Sequence, residues 1–162
     1  MKLDIGCGLQ KHEGYIGIDL YTDADIKAPM WDLPLDTNSV DAIVSYHALE
    51  HVPLAQVNPT LQEWYRVLIP GGSVVLQVPD FLYALHHFIS DAPDKNELWA
   101  QQLIFGHQRH EGEYHRCGFT VDSLRTLLLT TGFILQDLRV VWNYDQDSIQ
   151  AIALKPLKEE KI

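Results

Sequence analysis

The sequence is short of cysteine, of long apolar runs and of positive charge. It has two cysteines, Cys7 and Cys117, among 162 residues. This excludes a disulfide-rich scaffold and is typical of a reducing compartment, so we expect a cytoplasmic protein. No apolar run approaches the ~20 residues that a membrane-spanning helix needs, so we expect no membrane partner. The formal net charge is −10. Because so acidic a surface repels phosphate backbones, we also expect no nucleic-acid partner.

The remaining composition is that of one globular domain. Hydrophobic residues make up 46% of the chain and charged residues 21%, which argues against disorder. The length suffices for one domain with a core, but not comfortably for two. We therefore interpret residues 1–162 as a single domain, in which residues 91–119 are the candidate substrate cap.

Predicted strands and helices alternate along the chain, which favours an α/β fold with a mostly parallel sheet. The predicted strands are Lys2–Ile5, Tyr15–Asp19, Asp25–Lys27, Asp41–Tyr46, Ser73–Val78, Ile134–Asn143 and Ser148–Lys155. Capping residues and apolar spacing predict four helices. One begins at the Asn58 cap, one follows Asp80, one covers Asp94–Phe105, and one runs from the Thr120 cap to Gly132.

The connection between the first two strands is too short for a helix. Only six residues, Leu9–Gly14, separate Gly8 from Tyr15, whereas a parallel crossover normally needs a dozen or more. The first two strands also alternate apolar and polar residues, although a strand buried on both faces is apolar throughout. We predict that one sheet face is thinly covered and is either partly solvated or packed against a second subunit in a homodimer.

A glycine turn joins these two strands, and the second strand ends in a carboxylate. Gly6 and Gly8 allow a sharp turn and leave bare main chain for a ligand. Asp19 stands where nucleotide-binding α/β folds place the carboxylate that accepts hydrogen bonds from ribose hydroxyls. From this motif alone, a tight turn between two core strands is the alternative.

Nearly the whole chain resembles the class I S-adenosylmethionine-dependent methyltransferases. The segments that carry the resemblance are Asp4–Gly8, Gly17–Asp19, Asp32–Leu35, Ser39–Ser45, Leu49–Val52, Arg66–Gly72 and Thr131–Phe133. The likeness is to the small-molecule branch related to quinone- and biotin-pathway methyltransferases, in short forms that lack the first helix. It implies a Rossmann-like sheet, mostly parallel with an antiparallel last strand, and S-adenosyl-L-methionine as the cofactor.

The resemblance also implies which residues hold the cofactor. Asp4 would organise the glycine turn. The other implied residues are Gly6, Cys7, Gly8, Asp19, Leu20, Asp32, Leu33, Ser45 and Tyr46. Gly6, Cys7 and Gly8 would line the methionine part, and Asp19 would hold the ribose. Leu20, Asp32 and Leu33 would contact the adenine. Ser45 and Tyr46 would lie below the sulfonium. For each of them, the alternative is a residue that caps or packs a strand end.

Histidines are the candidate catalytic residues, because imidazole titrates near neutral pH. We select His47, His110 and His115 as candidate general bases. His51 with Glu50 could form a base and its orienting group, but the resemblance implies a structural role for that pair. The polar segment Gly106–Phe119 carries three histidines whose spacings match no zinc pattern, so we predict no metal there. A substrate-contacting loop and a solvated surface loop remain the alternatives for this segment.

These observations predict an enzyme that transfers a methyl group from S-adenosylmethionine to an N, O or C nucleophile of a small acceptor. A nicotinamide-dependent oxidoreductase is one alternative. It is disfavoured because Lys11 replaces the third glycine of the dinucleotide motif and no helix follows the turn. A non-catalytic partner subunit that keeps the fold is the other alternative. Gln10, which stands where the methyltransferase pattern usually has its third glycine, keeps this alternative open.

Overall fold

The structure, a computed structural model, describes residues 1–90 and 97–157. Within these ranges it contains a seven-stranded sheet with the order β3-β2-β1-β4-β5-β7-β6. The strands are β1 (Lys2–Ile5), β2 (Ile16–Asp19), β3 (Ile26–Lys27), β4 (Val40–Tyr46), β5 (Leu68–Pro79), β6 (Ile134–Asn143) and β7 (Gln146–Leu154). Strand β7 is antiparallel to both its neighbours, and the other neighbouring strands are parallel. The predicted Rossmann-like α/β sheet with an antiparallel last strand is confirmed.

Four α-helices lie within the described ranges. They are α1 (Val57–Val67), α2 (Phe81–Ile89), α3 (Glu97–Phe105) and α4 (Val121–Thr131). The predicted cap of α1 is wrong. The helix begins before Asn58, with Gln56 as its N-cap, because a 3-10 turn at Leu54–Gln56 leads directly into it. Residues 94–96 of the third predicted helix lie outside the described residues.

The predicted start of α2 and both predicted ends of α4 are confirmed. The Asp80 carboxylate accepts a hydrogen bond from the Leu82 amide at 2.9 Å and so caps α2. Thr120 and Ser123 form a reciprocal capping box at the start of α4. Gly132 follows the last residue of α4 with φ of 106°, a left-handed conformation that glycine adopts without steric cost.

Two predicted strand starts are wrong by more than one residue, and the other strand boundaries agree with the prediction to within one residue. Strand β5 begins at Leu68 rather than Ser73, because Leu68 pairs with Val40 before the register shifts. Strand β7 begins at Gln146 rather than Ser148, because a two-residue hairpin at Tyr144 and Asp145 joins it to β6. Both hairpin residues have positive φ, 51° and 59°, which is the conformation of the turns that match strand twist.

The hydrophobic core lies between one face of the sheet and the helices α1 and α4. Trp64 of α1 and Leu128 of α4 are fully buried against strand residues such as Leu3 and Leu76. The Trp64 indole also donates a hydrogen bond to the Met30 carbonyl at 3.1 Å, which fixes the segment after β3 to the helix layer. The core therefore holds the ends of the central strands in place.

The opposite face of the sheet is thinly covered, as predicted. Residues 6–15 contain turns but no helix, so the first crossover helix is missing. On this face Val75 neighbours Val44 and Ile152 across the sheet, and both Val75 and Ile152 remain partly exposed. The homodimer through this face stays a prediction. Sedimentation equilibrium, which measures the mass of the protein in solution, would test it. No helix in the described ranges is long and apolar enough to cross a membrane.

Candidate functional site

A cavity of about 380 Å³ lies at the carboxyl ends of β1 and β2, and we call it the cofactor cleft. Gly6 and Gly8 reach it from the turn after β1, and Asp19 reaches it from the end of β2. Its wall also includes Leu20, Tyr21, Met30, Trp31, His47, His51, His110 and Arg116. Open α/β sheets bind ligands at this edge, and the volume suits a small molecule.

The two glycines of the turn meet different surroundings. Gly6 has φ of 72°, and a Cβ placed on it would lie 2.2 Å from Ala48 Cβ. Gly8 has φ of 57°, and a Cβ placed on it would meet no atom within 4 Å. The first glycine thus allows close packing against the segment after β4, whereas the second presents open main chain.

The Asp19 carboxylate accepts hydrogen bonds from both the turn after β1 and the loop after β2. Its Oδ2 accepts a hydrogen bond from the Gly8 amide at 3.0 Å. Its Oδ1 accepts from the amides of Tyr21 at 2.8 Å and Thr22 at 3.0 Å. A carboxylate offers about four acceptor sites, so these three bonds leave one for a ligand hydroxyl.

The predicted cofactor residues divide among several environments. Gly6, Gly8, Asp19 and Leu20 line the cofactor cleft. Asp4, Cys7 and Tyr46 line a separate polar cavity behind the glycine turn. Asp32, Leu33 and Ser45 line neither cavity. Sequence position alone could not separate these groups, because adjacent residues such as Cys7 and Gly8, or Ser45 and Tyr46, have different surroundings.

Asp32, Leu33 and Ser45, which lie outside the two cavities, contact or pack against other parts of the protein. The Leu33 amide donates a hydrogen bond to the Glu63 carboxylate at 2.7 Å, and the Leu33 side chain is buried. Ser45 is also buried, and its hydroxyl has no hydrogen-bond partner among the described residues. Asp32 follows Trp31, and its amide donates to the Pro29 carbonyl at 3.1 Å.

Asp4 anchors the segment that replaces the missing helix. Its buried carboxylate accepts hydrogen bonds from the His12 amide at 2.8 Å and lies 2.7 Å from His12 Nδ1. A buried carboxylate is costly unless such donors satisfy it. The Asp4–His12 contact therefore holds residues 7–15 against the sheet, where a helix would otherwise lie.

Both cysteine thiols are held in their protonated form. Partial burial, followed by the nearby Asp19 and Asp4 carboxylates, raises the pKa of Cys7 to about 11. Burial and the Glu50 carboxylate raise the pKa of Cys117 to about 12. Since the thiolate is the nucleophile, neither side chain is set up for covalent catalysis.

We expect iodoacetamide to alkylate the native protein slowly at pH 8. A thiol with a pKa of about 11 is ionised about 100-fold less than an ordinary cysteine, so Cys7 should react about 100-fold more slowly. Mass spectrometry of the native and the urea-unfolded protein, with the same reagent, measures the ratio. Equal rates in the two states would contradict the raised pKa values.

The three candidate catalytic histidines lie in different places. His47 follows β4 and lines both the cofactor cleft and an adjoining cavity of about 440 Å³, which we call the histidine cavity. His110 lines only the cofactor cleft, and its Nε2 lies 3.5 Å from Glu113 Oε1. His115 lines only the histidine cavity, and its Nδ1 lies 3.0 Å from the Leu103 carbonyl oxygen.

Glu50 is the charged centre of the histidine cavity. It is 2% exposed, and His47 Nδ1 lies 3.5 Å from its Oε1. Burial opposes ionisation of Glu50, but His47, His51 and His115 together hold the pKa of its carboxyl below the usual value. Burial also lowers the pKa of His115, against the opposing effect of Glu50.

Sequence reasoning missed several residues of the cleft wall. Tyr21, Met30, Glu113 and Arg116 line the cofactor cleft, yet none stands in a motif with a recognisable ligand pattern. The Arg116 amide donates to the Glu50 carbonyl at 2.7 Å, which brings the 106–119 segment to the turn after β4. Long-range contacts of this kind, including a second one from the Cys117 amide to the same Glu50 carbonyl at 3.2 Å, place the segment beside the cleft.

Comparisons with known proteins agree with this geometry. The model of a family described as a methyltransferase domain matches residues 3–76. A solved SAM-dependent methyltransferase from Methanosarcina mazei is 22% identical, with 97% of this chain and 92% of that chain covered and a TM-score of 0.70. A comparison of the sequence with curated proteins gives no match.

Two further solved structures show the same architecture. Burkholderia thailandensis 1,6-didemethyltoxoflavin-N1-methyltransferase, solved with 1,6-didemethyltoxoflavin and S-adenosylhomocysteine, is 18% identical, with 96% of this chain and 70% of that chain covered and a TM-score of 0.67. An S-adenosylmethionine-dependent methyltransferase from Mesorhizobium loti is 17% identical, with 94% and 89% covered and a TM-score of 0.64.

The strand order, the antiparallel last strand and these likenesses define the fold. The chain has the fold of the class I S-adenosylmethionine-dependent methyltransferases, as its sequence resemblance predicted. Residues 3–76, which match the methyltransferase-domain family, contain the glycine turn and Asp19.

Proposed function

We propose that this protein is an S-adenosylmethionine-dependent methyltransferase that methylates an N, O or C nucleophile of a small acceptor. One observation carries the proposal. The Asp19 carboxylate, with one acceptor site left over, shares a cavity with the main chain of Gly6 and Gly8. A ribose hydroxyl needs a hydrogen-bond acceptor such as the free site on Asp19, and the methionine part of the cofactor needs main chain without a Cβ beside it.

The wall of the cofactor cleft fits the rest of the cofactor. Trp31 and Tyr21 offer flat aromatic surfaces, and Leu20 and Met30 are apolar. Such surfaces suit an adenine ring, and an aromatic face also attracts a sulfonium cation. When bound, S-adenosylmethionine supplies an electrophilic methyl group. Gly6, Gly8, Asp19 and Leu20 would contact it, while Asp4 and Cys7 would support the turn from behind.

The histidine cavity is where we place the acceptor. It adjoins the cofactor cleft through His47, His51 and Glu113, which line both. We assign His47 to take the proton that an N–H or O–H acceptor loses. Its Nε2, now 3.3 Å from the Ser148 hydroxyl, would accept that proton, and the buried Glu50 carboxylate, 3.5 Å from Nδ1, would stabilise the resulting imidazolium. Holding the acceptor against the cleft supplies the alignment that bimolecular transfer needs.

Calorimetric titration with S-adenosylhomocysteine and with NAD tests the cofactor assignment. We expect one S-adenosylhomocysteine to bind per chain and NAD not to bind, because residues 7–15 contain no helix whose N-terminus could receive a pyrophosphate. Binding of NAD alone, or of neither compound, would contradict the proposal. An acceptor screen with labelled S-adenosylmethionine then separates an enzyme from a non-catalytic subunit, which would bind the cofactor weakly or not at all and transfer no methyl group.

A further inference from the structure

A buried carboxylate and two imidazoles meet in the wall of the histidine cavity. Glu50 and His51 come from the 3-10 turn Leu49–His51, and His115 comes from the segment that precedes α4. One ligand-capable atom from each of the three lies within 4.8 Å of the others. Within the described ranges, neither carboxylate oxygen of Glu50 has a hydrogen-bond partner.

Main-chain carbonyls fix the orientation of both imidazoles. His51 Nδ1 lies 3.1 Å from the Tyr114 carbonyl oxygen, and His115 Nδ1 lies 3.0 Å from the Leu103 carbonyl oxygen. Because a carbonyl can only accept, each Nδ1 carries the hydrogen, and Nε2 is the nitrogen left to coordinate. Histidines that bind metals almost always use this arrangement, in which the other ring nitrogen donates to a carbonyl or carboxylate.

The charges in this group call for a cation. The nearest imidazole nitrogens, His47 Nδ1 at 3.5 Å and His51 Nε2 at 4.0 Å from Glu50 Oε1, are too distant to satisfy this buried carboxylate with a normal hydrogen bond. Burying a carboxylate without a paired cation is costly. Two imidazoles with one carboxylate form a ligand set that suits Zn²⁺ and similar transition-metal ions, whereas Ca²⁺ and Mg²⁺ prefer oxygen ligands.

We propose that Glu50, His51 and His115 bind one divalent transition-metal ion of the Zn²⁺ type in the wall of the histidine cavity. Ligand atoms about 2 Å from one tetrahedral ion stand roughly 3.4 Å apart, so small side-chain rotations complete the site. Three protein ligands leave a fourth position open toward the cavity. The proposal assigns His115 to the metal rather than to proton transfer. It also gives Glu50, the partner of His47 in the proposed transfer, a second role as a metal ligand.

Metal titration of the full chain, produced without a histidine tag and stripped with a chelator, tests this site. Calorimetry with ZnCl₂ and visible absorption with CoCl₂ measure stoichiometry, affinity and geometry. Glu50→Gln removes the charge at constant shape. His51→Asn and His115→Asn remove Nε2 while keeping a side-chain donor near the carbonyls of Tyr114 and Leu103. His86→Ala is the matched control, because His86 is exposed on α2 and far from the group in sequence.

We expect one ion per chain and the Co²⁺ bands of a tetrahedral site. Each ligand variant should bind the metal more than about 100-fold more weakly. Loss of a residue that only hydrogen-bonds to a metal ligand typically costs about 10–100-fold. The His86→Ala variant should bind the metal as the unchanged protein does. No stoichiometric binding, or unchanged affinity in a folded His115→Asn, would overturn the site even where Glu50→Gln fails to fold. Titration of the metal-free protein with S-adenosylhomocysteine tests the cofactor cleft separately.

Discussion

Replacing Gly6 with alanine should destabilise the protein by about 2–5 kcal/mol and abolish binding of S-adenosylhomocysteine. The new Cβ would lie 2.2 Å from Ala48 Cβ, and Ala48 itself is buried. Overpacking of this kind costs about 1–3 kcal/mol. The left-handed φ of 72° adds about 1–2 kcal/mol for any residue with a Cβ. Thermal denaturation should show a Tm roughly 5–20 °C lower.

Gly8→Ala is the matched control for this variant. Gly8 has a similar φ, 57°, but its Cβ would meet no atom within 4 Å. We expect a cost of only about 1–2 kcal/mol. Because Gly8 lines the cofactor cleft, its added methyl should still weaken S-adenosylhomocysteine binding in a folded protein. Equal Tm values for the two variants would contradict the close contact between Gly6 and Ala48.

Asp19→Asn should weaken S-adenosylhomocysteine binding by about 10- to 100-fold and cost about 1–3 kcal/mol of stability. The carboxylate accepts hydrogen bonds from the amides of Gly8, Tyr21 and Thr22. An asparagine amide has one accepting end, so at least one of these N–H groups would face an NH₂ group. A hydrogen bond to a charged group is worth about 1.5–3 kcal/mol, and water can partly replace the lost bond because these three bonds are exposed or part-buried.

Asp23→Asn provides the control for the change in charge. Asp23 lies in the loop that follows β2 and is exposed. We expect it to bind S-adenosylhomocysteine as tightly as the unchanged protein, and to unfold at the same temperature. If calorimetry gave the same affinity for Asp19→Asn and Asp23→Asn, Asp19 would have no part in holding the cofactor.

Much of the fold was predictable because it depends on local rules. The six residues between Gly8 and Tyr15 cannot hold a crossover helix, and the structure has none there. The caps at Asp80 and Thr120 involve bonds to residues two and three positions further on. Such contacts follow from neighbouring residues, so they can be predicted before the chain is folded.

Other features escaped prediction because distant contacts override local preference. Asn58 followed by proline is a typical helix start, yet a preceding 3-10 turn moves the start of α1 upstream. The hairpin at Tyr144 and Asp145 contains no glycine, so its positive φ angles had no signal in the sequence. Pairing of β6 with β7 imposes this turn.

The sequence by itself determined the sheet, the glycine turn and the position of Asp19, because strand alternation and turn chemistry are properties of neighbouring residues. Only the tertiary structure decided which residues gather around Glu50. His51 and the Tyr114 carbonyl that orients it are 63 positions apart, and the spacing rules for metal ligands examine one short segment at a time. The bond from the Arg116 amide to the Glu50 carbonyl joins the two segments, and a bond across such a separation forms only when the whole chain packs.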